Sequence, residues 1–582
     1  LTAQIDGSID PDKVLAYMQE ALSQLLAGLK EENTEKVDTL TILPKEEVQL
    51  LETFNATEVD YPLDKTFVNL FTDQALKSPE AVAAIFEGEE LTYKTLEERS
   101  NQLAHYLVAQ GVQPNDLVGI CLDRGLEMII GVVAILKSGG AYVPIKPDFP
   151  ADRISYLLED TNCSLLVTNI ASKDVLGASN TTQVVVIDDE NDTITKYPIT
   201  PLEIAYNSND LAYVIYTSGS TGLPKGAMIE HAGLLNHLLL MVDELKMTND
   251  SVVAFTAPFT FDISVWQMLS GLLCGGQIVI YGEEKILDIS GFQNSLFEQK
   301  VSHLQLVPSY VASLIEDGVV VESLSNLSYF LVTGEAATKS LLDKWFELYP
   351  SVPVVNAYGP AEAADDVTLH IMHESPKGGV VPIGKPVANM DLYIVDKFDN
   401  LCPIGVIGEI WTSGIGVGRG YLNREELTRE KFINNPFKSE EERLYKTGDL
   451  GRWLADGTIE FVGRSDDQVK IRGYRIELGE IENTIASLKS ISQCCVLAKK
   501  DPSGVNRLVV YLVVEDNANK EELQAAVAES LPNYMIPQLW FVLEEMPLTA
   551  NGKIDKKALP EPDLSQLSSR EYVAPRNEIE EE

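Results

Sequence analysis

Eleven consecutive residues, YTSGSTGLPKG (216–226), carry the types needed to hold a polyanion. Hydroxyls and glycines let backbone N–H and side-chain O–H groups wrap phosphate oxygens, and Lys225 adds a cation. The loop follows LAYVI, a run that reads as a strand. Its spacing does not match G-x-x-x-x-G-K-[ST], and the Gly-rich GIGVGRG (414–420) misses G-x-G-x-x-G and reads as turn structure. A second stretch, NAYGPAEAADD (356–366), ends in two adjacent carboxylates. The chain has 88 Asp and Glu among 582 residues, so roughly a dozen adjacent acid pairs arise by chance. Spacing alone gives Asp365 and Asp366 no role.

These residues need a scaffold. A chain of 582 residues exceeds one hydrophobic core, and 45% apolar content can fill two or more. A net charge of −43 disfavours nucleic acid and anionic membrane surfaces. An anionic ligand must then be met by a few placed cations and backbone N–H groups. Cys121, Cys163, Cys274, Cys402, Cys494 and Cys495 form no C-x-x-C pair and read as reduced, mostly buried thiols. No signal-peptide pattern is present, and MIIGVVAIL (128–136) is too short to span a bilayer; a cytoplasmic location is expected. Residues 10–30 read as a helix capped by Asp10, with a charged connector after it. From about 65 to 400, short apolar strands alternate with helical stretches, the pattern of an α/β fold with largely parallel sheets. Beyond GRSDDQVKIRG lies a small α+β unit with one strong strand, RLVVYLVV (507–514), and helices near 479–489 and 520–530.

YTSGSTGLPKG resembles the signature of the adenylate-forming superfamily: acyl-CoA synthetases, luciferases and the adenylation domains of nonribosomal peptide synthetases. Further stretches resemble that family in order. They are LTYKTLEERSNQLA (91–104), LKSGGAYVPI (136–145), FDISVWQM (261–268), NAYGPAE (356–362), GEIWTSGIGVGRGYL (408–422), YKTGDLGRW (445–453), GRSDDQVKIRGYRIELGEIE (463–482), LPNYMIP (531–537) and NGKID (551–555). FDISVW and RIELGEIE are most similar to the peptide-synthetase branch. The resemblance implies a large core of stacked sheets flanked by helices with a small barrel-like part (46–463), and a small mobile α+β subdomain (464–565). Residues 1–45 resemble the end of a condensation domain with its linker, and 566–582 the linker toward a carrier domain.

The implied reaction joins an amino acid and ATP into aminoacyl-AMP and pyrophosphate, then passes the aminoacyl group to a carrier's phosphopantetheine thiol. Attack by an already ionised carboxylate needs alignment and charge neutralisation, not a general base. By resemblance, Ser218, Gly219, Ser220, Thr221, Gly222 and Lys225 would hold the β- and γ-phosphates, and Glu362 would hold Mg²⁺. Tyr358 and Phe461 would bracket the adenine, with Asn356 and the turn Gly334, Glu335, Ala336 at its edge. Asp449 would accept the ribose hydroxyls beside Arg464. Lys553 would reach the substrate carboxylate and the α-phosphate. Asp466 matches a hinge, and Lys470 and Gly473 the face that meets the pantetheine arm. Two positions depart from the pattern: Ala361 replaces a usual Thr, which predicts a slower enzyme, and Lys146 replaces a usual acid.

The resemblance also maps an amino acid pocket onto Asp262, Ile263, Trp266, Gln305, Leu331, Thr333, Ala357, Asp365 and Asp366. Asp262 would bind the α-ammonium. Two carboxylates in a partly desolvated cleft repel unless a cation joins them, so a basic α-amino acid is expected: ornithine, lysine, diaminobutyrate or arginine. A polar neutral substrate such as glutamine, an acyl-CoA synthetase, and a degenerate structural domain stay open. Whether a small helper protein is a further partner stays open at this point.

Overall fold

The computed structural model describes residues 10–30, 40–176, 182–219, 222–316, 324–466, 468–488, 490–501, 505–514, 520–547 and 554–562. The chain divides into two units, and the second, Asp467–Glu582, also takes in Phe149–Arg153 and Ser218–Pro224.

Among the described residues the first unit contains three sheets. One has nine strands; its middle six run parallel in the order Val354–Tyr358, Tyr329–Val332, His303–Leu306, Val252–Phe255, Gln277–Ile280, Val82–Phe86, with antiparallel strands outside. A seven-stranded sheet has a parallel part, from Leu211–Thr217 through Ala141–Ile145, Leu117–Cys121 and Leu165–Thr168 to Gln183–Val186. These parallel strands are mostly apolar and largely buried, as strands packed on both faces require. A five-stranded antiparallel sheet is built from Met390–Val395, Gly408–Gly414, Phe432–Asn434, Arg443–Trp453 and Ile459–Arg464.

The apolar run at 128–136 lies in helix Leu126–Lys137, buried from Met128 onward. Its last residue is a buried cation. Lys137 Nζ donates to Glu97 Oε2 at 2.6 Å, Ser100 Oγ at 2.8 Å and Asn101 Oδ1 at 2.8 Å. Burial pushes this ammonium down to about 8, against Glu97, which raises it. Lys137→Met leaves the Glu97 carboxylate without its cation and is expected to destabilise the unit by about 3–5 kcal/mol. Urea unfolding midpoints check this; an unchanged midpoint would refute it.

Among the described residues no helix is long and apolar enough to cross a membrane. Cys121, Cys163, Cys402 and Cys495 are buried, and Cys274 and Cys494 are half-buried. Lys146, unexplained in the sequence, bridges Asp148 Oδ2 at 2.5 Å and Glu283 Oε2 at 3.1 Å. The N-terminal helix runs Pro11–Lys30.

The second unit pairs Ile491–Lys500 antiparallel with Asn506–Val514, and that strand parallel with Leu539–Val542. Only the middle strand stood out in sequence. Helices Leu478–Ala486 and Lys520–Ser530 contribute to its core. A hairpin, Gln468–Ile471 with Tyr474–Glu477, turns through Arg472 (φ 51°) and Gly473 (φ 81°). Two successive left-handed residues make the tight turn that suits the twist of a hairpin, and glycine meets the second at little cost.

Candidate active site

The parallel strands of the nine-stranded sheet deliver their carboxyl ends to one region, where open α/β sheets bind ligands. Gln305 pairs in register with Leu331, and Leu331 with Val355. Just beyond, Thr333 Oγ1 donates to the Ala357 carbonyl at 2.9 Å. Asn356 is buried and donates to the Pro382 carbonyl at 2.8 Å. The turn Gly334–Ala336 follows its strand directly, and Glu335 accepts from the Ser309 N–H at 3.0 Å.

Three groups of side chains carry charge. The first is Lys225, Glu362 and Tyr421. Lys225 Nζ lies 3.0 Å from the Tyr421 hydroxyl, 3.5 Å from Glu362 Oε1 and 4.5 Å above the Tyr421 ring centre. Tyr421 donates to Glu362 Oε1 at 2.6 Å. Glu362 is fully buried within the short helix Ala361–Ala363. Tyr421 belongs to a quoted motif, yet nothing in its sequence position distinguishes it from an ordinary core tyrosine.

The second group is a relay. Tyr358 donates to Asp449 Oδ2 at 2.7 Å, and Arg464 Nη1 donates to Asp449 Oδ1 at 2.6 Å. Arg464 also forks onto Asp466 through Nε at 2.7 Å and Nη2 at 2.8 Å. Burial and the Asp449 carboxylate hold the Tyr358 phenol well above its ordinary range. The Tyr358 and Phe461 rings lie 6.1 Å apart, tilted 42°.

The third group is the carboxylate pocket. Asp262 caps helix Ile263–Cys274, accepting from the Ile263 N–H at 3.0 Å. Trp266, fully buried, donates from Nε1 to Gln305 Oε1 at 2.6 Å. Asp365 and Asp366 are each 3% exposed, so neither is a surface acid. Their placement is enforced by the backbone. Gly359 is irreplaceable because a Cβ there would lie 1.6 Å from the Asp365 carbonyl oxygen. Ala364 (φ 59°) and Asp365 (φ 79°) are both left-handed, a conformation that costs a non-glycine residue about 1–3 kcal/mol. Helix His231–Glu244 brings in a residue to which the sequence analysis gave no role, His237, with Nε2 at 3.3 Å from Asp365 Oδ2.

Within the second unit, Ser218 Oγ donates to the Arg475 carbonyl at 2.8 Å and accepts from the Glu477 N–H at 3.1 Å. The Gly219 N–H points to Glu480 Oε2 at 3.3 Å, and Arg153 holds the other oxygen of that carboxylate at 3.0 Å. A carboxylate acceptor thus occupies a donor of the loop, the same chemistry that a phosphate oxygen presents. Gly222 abuts the Asn483 side chain. The Lys470 carbonyl accepts from Asn506 at 3.2 Å. Ser220, Thr221 and Lys553 lie outside the described residues.

The profile of the "AMP-binding enzyme" family matches residues 71–422, and that of the "AMP-binding enzyme C-terminal domain" matches 480–553. The chain belongs to the AMP-binding enzyme family. It is an ATP-dependent, AMP-forming ligase of the adenylation-domain type found in nonribosomal peptide synthetases. It is 39% identical over 559 residues to tyrocidine synthase 3 of Brevibacillus parabrevis, covering 96% of this chain and 8% of that protein. To gramicidin S synthase 1 of Brevibacillus brevis it is 41% identical over 536 residues, covering 92% and 48% respectively. The chain therefore spans less than half the length of these relatives. Among solved structures, a nonribosomal peptide synthetase protein with adenylation and PCP domains, bound to a vinylsulfonamide inhibitor, aligns with a TM-score of 0.74 at 26% identity, covering 86% of this chain and 85% of that one. A four-domain nonribosomal peptide synthetase bound to AMP and glycine aligns at 0.67 and 30% identity, covering 97% and 41%.

Proposed function

We propose that this chain activates a basic α-amino acid as aminoacyl-AMP and transfers it to the phosphopantetheine thiol of a carrier domain. The observation that carries the substrate class is the burial of Asp365 and Asp366 together. Two desolvated carboxylates side by side repel, and a side-chain cation relieves both the repulsion and the lost hydration. Asp262, which the resemblance assigns to the α-ammonium, completes an amino acid site with two anionic ends.

The rest of the reading follows from charge. Lys225 and Glu362 meet the triphosphate, and Asp449, already oriented by Tyr358 and Arg464, receives the ribose. The buried Glu362 carboxylate fits Mg²⁺, a cation that takes one or two carboxylates plus phosphate oxygens. Bound there, Mg²⁺ would neutralise phosphate charge. Lys553 is assigned the substrate carboxylate and α-phosphate. Asp466 is assigned the hinge, and Lys470 with Gly473 the thioester-forming pose. Upstream condensation and downstream carrier domains are the proposed partners, with a small helper protein as a further one.

The test is amino-acid-dependent ATP–pyrophosphate exchange across the proteinogenic set plus ornithine and diaminobutyrate. Exchange driven by a basic amino acid supports the reading; exchange driven only by neutral ones refutes the substrate class. Ala361, buried beside Glu362, lacks the hydroxyl common at this position. Ala361→Thr is expected to raise exchange about 2- to 10-fold, the worth of one neutral hydrogen bond. A fall in exchange would show that the site is already packed around alanine.

A further inference from the structure

The carboxylate pocket holds more than two acids. His237, Asp365 and Asp366 each offer one polar atom, and these three atoms lie within 4.8 Å of one another. All three residues are buried. Neither ring nitrogen of His237 makes a hydrogen bond among the described residues: Nε2 faces Asp365 at 3.3 Å without the alignment of one. We propose that His237 is the third acceptor of a socket for a primary ammonium, so that the activated side chain ends in –NH₃⁺ and not in a guanidinium. This rests on the basic-substrate reading above and narrows it to amines such as diaminobutyrate, ornithine or lysine.

The geometry discriminates between the two cations. An ammonium directs three N–H bonds tetrahedrally, and at charge-assisted lengths of about 2.8 Å its acceptors stand about 4.6 Å apart. The observed cluster lies within 4.8 Å, and its His237–Asp365 pair, at 3.3 Å, must part by about 1 Å to admit the ammonium between them. A guanidinium presents five donors in one plane and prefers bidentate forks. In a closed cluster of three converging acceptors it would leave donors buried without partners, each at a cost. Gln305 adds selectivity of the same kind, because its Nε2 is a buried donor with no hydrogen bond among the described residues.

The socket requires His237 to be neutral, with a lone pair toward the ammonium. Burial lowers its basicity below the ordinary range, outweighing the Asp366 and Asp262 carboxylates, which raise it. The influence of Asp262 on this ring also links the socket to the residue assigned to the α-ammonium. Tyr213, buried near Asp262 and Asp365, is held well above its ordinary range and stays a neutral phenol.

The experiment compares wild type, His237→Leu and His237→Gln in ATP–pyrophosphate exchange with diaminobutyrate, ornithine, lysine, arginine, glutamine and norvaline. The expected result has a primary amine preferred over arginine. His237→Leu then raises KM for that amine roughly 10-fold or more, as loss of a hydrogen bond to a charged group should, with KM for ATP unchanged. His237→Gln, whose amide oxygen reaches the Nε2 position, retains most of the affinity. Arginine as the preferred substrate overturns the socket while leaving the basic reading intact. Exchange with glutamine or norvaline alone overturns both. An unchanged amine KM in His237→Leu also overturns it. One imidazole and two carboxylates can equally bind zinc, so stoichiometric Zn²⁺ in the purified wild-type protein, with amine KM improved by chelation, would overturn it too. The wild-type substrate ranking and metal content decide the matter even where a variant fails to fold.

Discussion

Asp365→Asn is expected to lower kcat/KM for a basic amino acid about 10²- to 10⁴-fold while leaving KM for ATP near wild type. In the complex, the cation of the substrate and the carboxylate of Asp365 form a desolvated pair, and removing one partner of such a pair costs about 3–5 kcal/mol. Asn is the informative replacement. It preserves the shape of Asp and tolerates the left-handed φ of 79° seen at this position, whereas Ala there adds backbone strain to the loss of charge. The free protein should respond in the opposite direction. With Asp366 alone left ionised beside a neutral His237, carboxylate repulsion is relieved, and the urea midpoint should not fall. A variant that keeps its preference for a basic amino acid would show that Asp365 does not contact the substrate, whatever its burial.

The sequence set Ser218–Lys225, Asp449, Glu362 and the pocket positions in short ordered motifs, and the roles given to them rest on the resemblance of those motifs to the family's. The residues that escaped are held by tertiary packing. His237 lies in HAGLLNHLLL, a stretch that reads as an apolar core helix; only the fold lays that helix against Asp365. Tyr421 ends a glycine-rich stretch and becomes significant only when an antiparallel pairing with Lys225–Glu230 brings its hydroxyl to Lys225 and Glu362. Strand Ile491–Lys500 was missed because its alternation is blurred, with Cys494 and Cys495 adjacent and polar residues at both ends; pairing to Asn506–Val514 stabilises it nonetheless. Lys146 illustrates the same limit: its two carboxylate partners are 2 and 137 residues away, and only the nearer was visible as a neighbour.

Glu362→Gln is expected to reduce ATP–pyrophosphate exchange about 10²- to 10³-fold, the scale seen when a preorganised electrostatic group is removed from a reacting centre. The argument starts from burial. Glu362 is fully enclosed, and Lys225 is 6% exposed, so neither charge is screened by water. Glutamine keeps the volume and an acceptor for the Tyr421 hydroxyl, but it removes the negative charge 3.5 Å from the Lys225 ammonium. Loss of a metal-binding carboxylate should also move the half-saturating Mg²⁺ concentration upward, a shift that a merely structural role would not produce. The paired variant Lys225→Met/Glu362→Gln separates the contributions. Contacting residues are non-additive, so stability should partly recover when both charges go, whereas exchange should stay at the level of the worse single variant. Exchange by Glu362→Gln within 10-fold of wild type, at unchanged Mg²⁺ dependence, would remove Glu362 from the metal site and leave it as the counter-ion that keeps Lys225 in place.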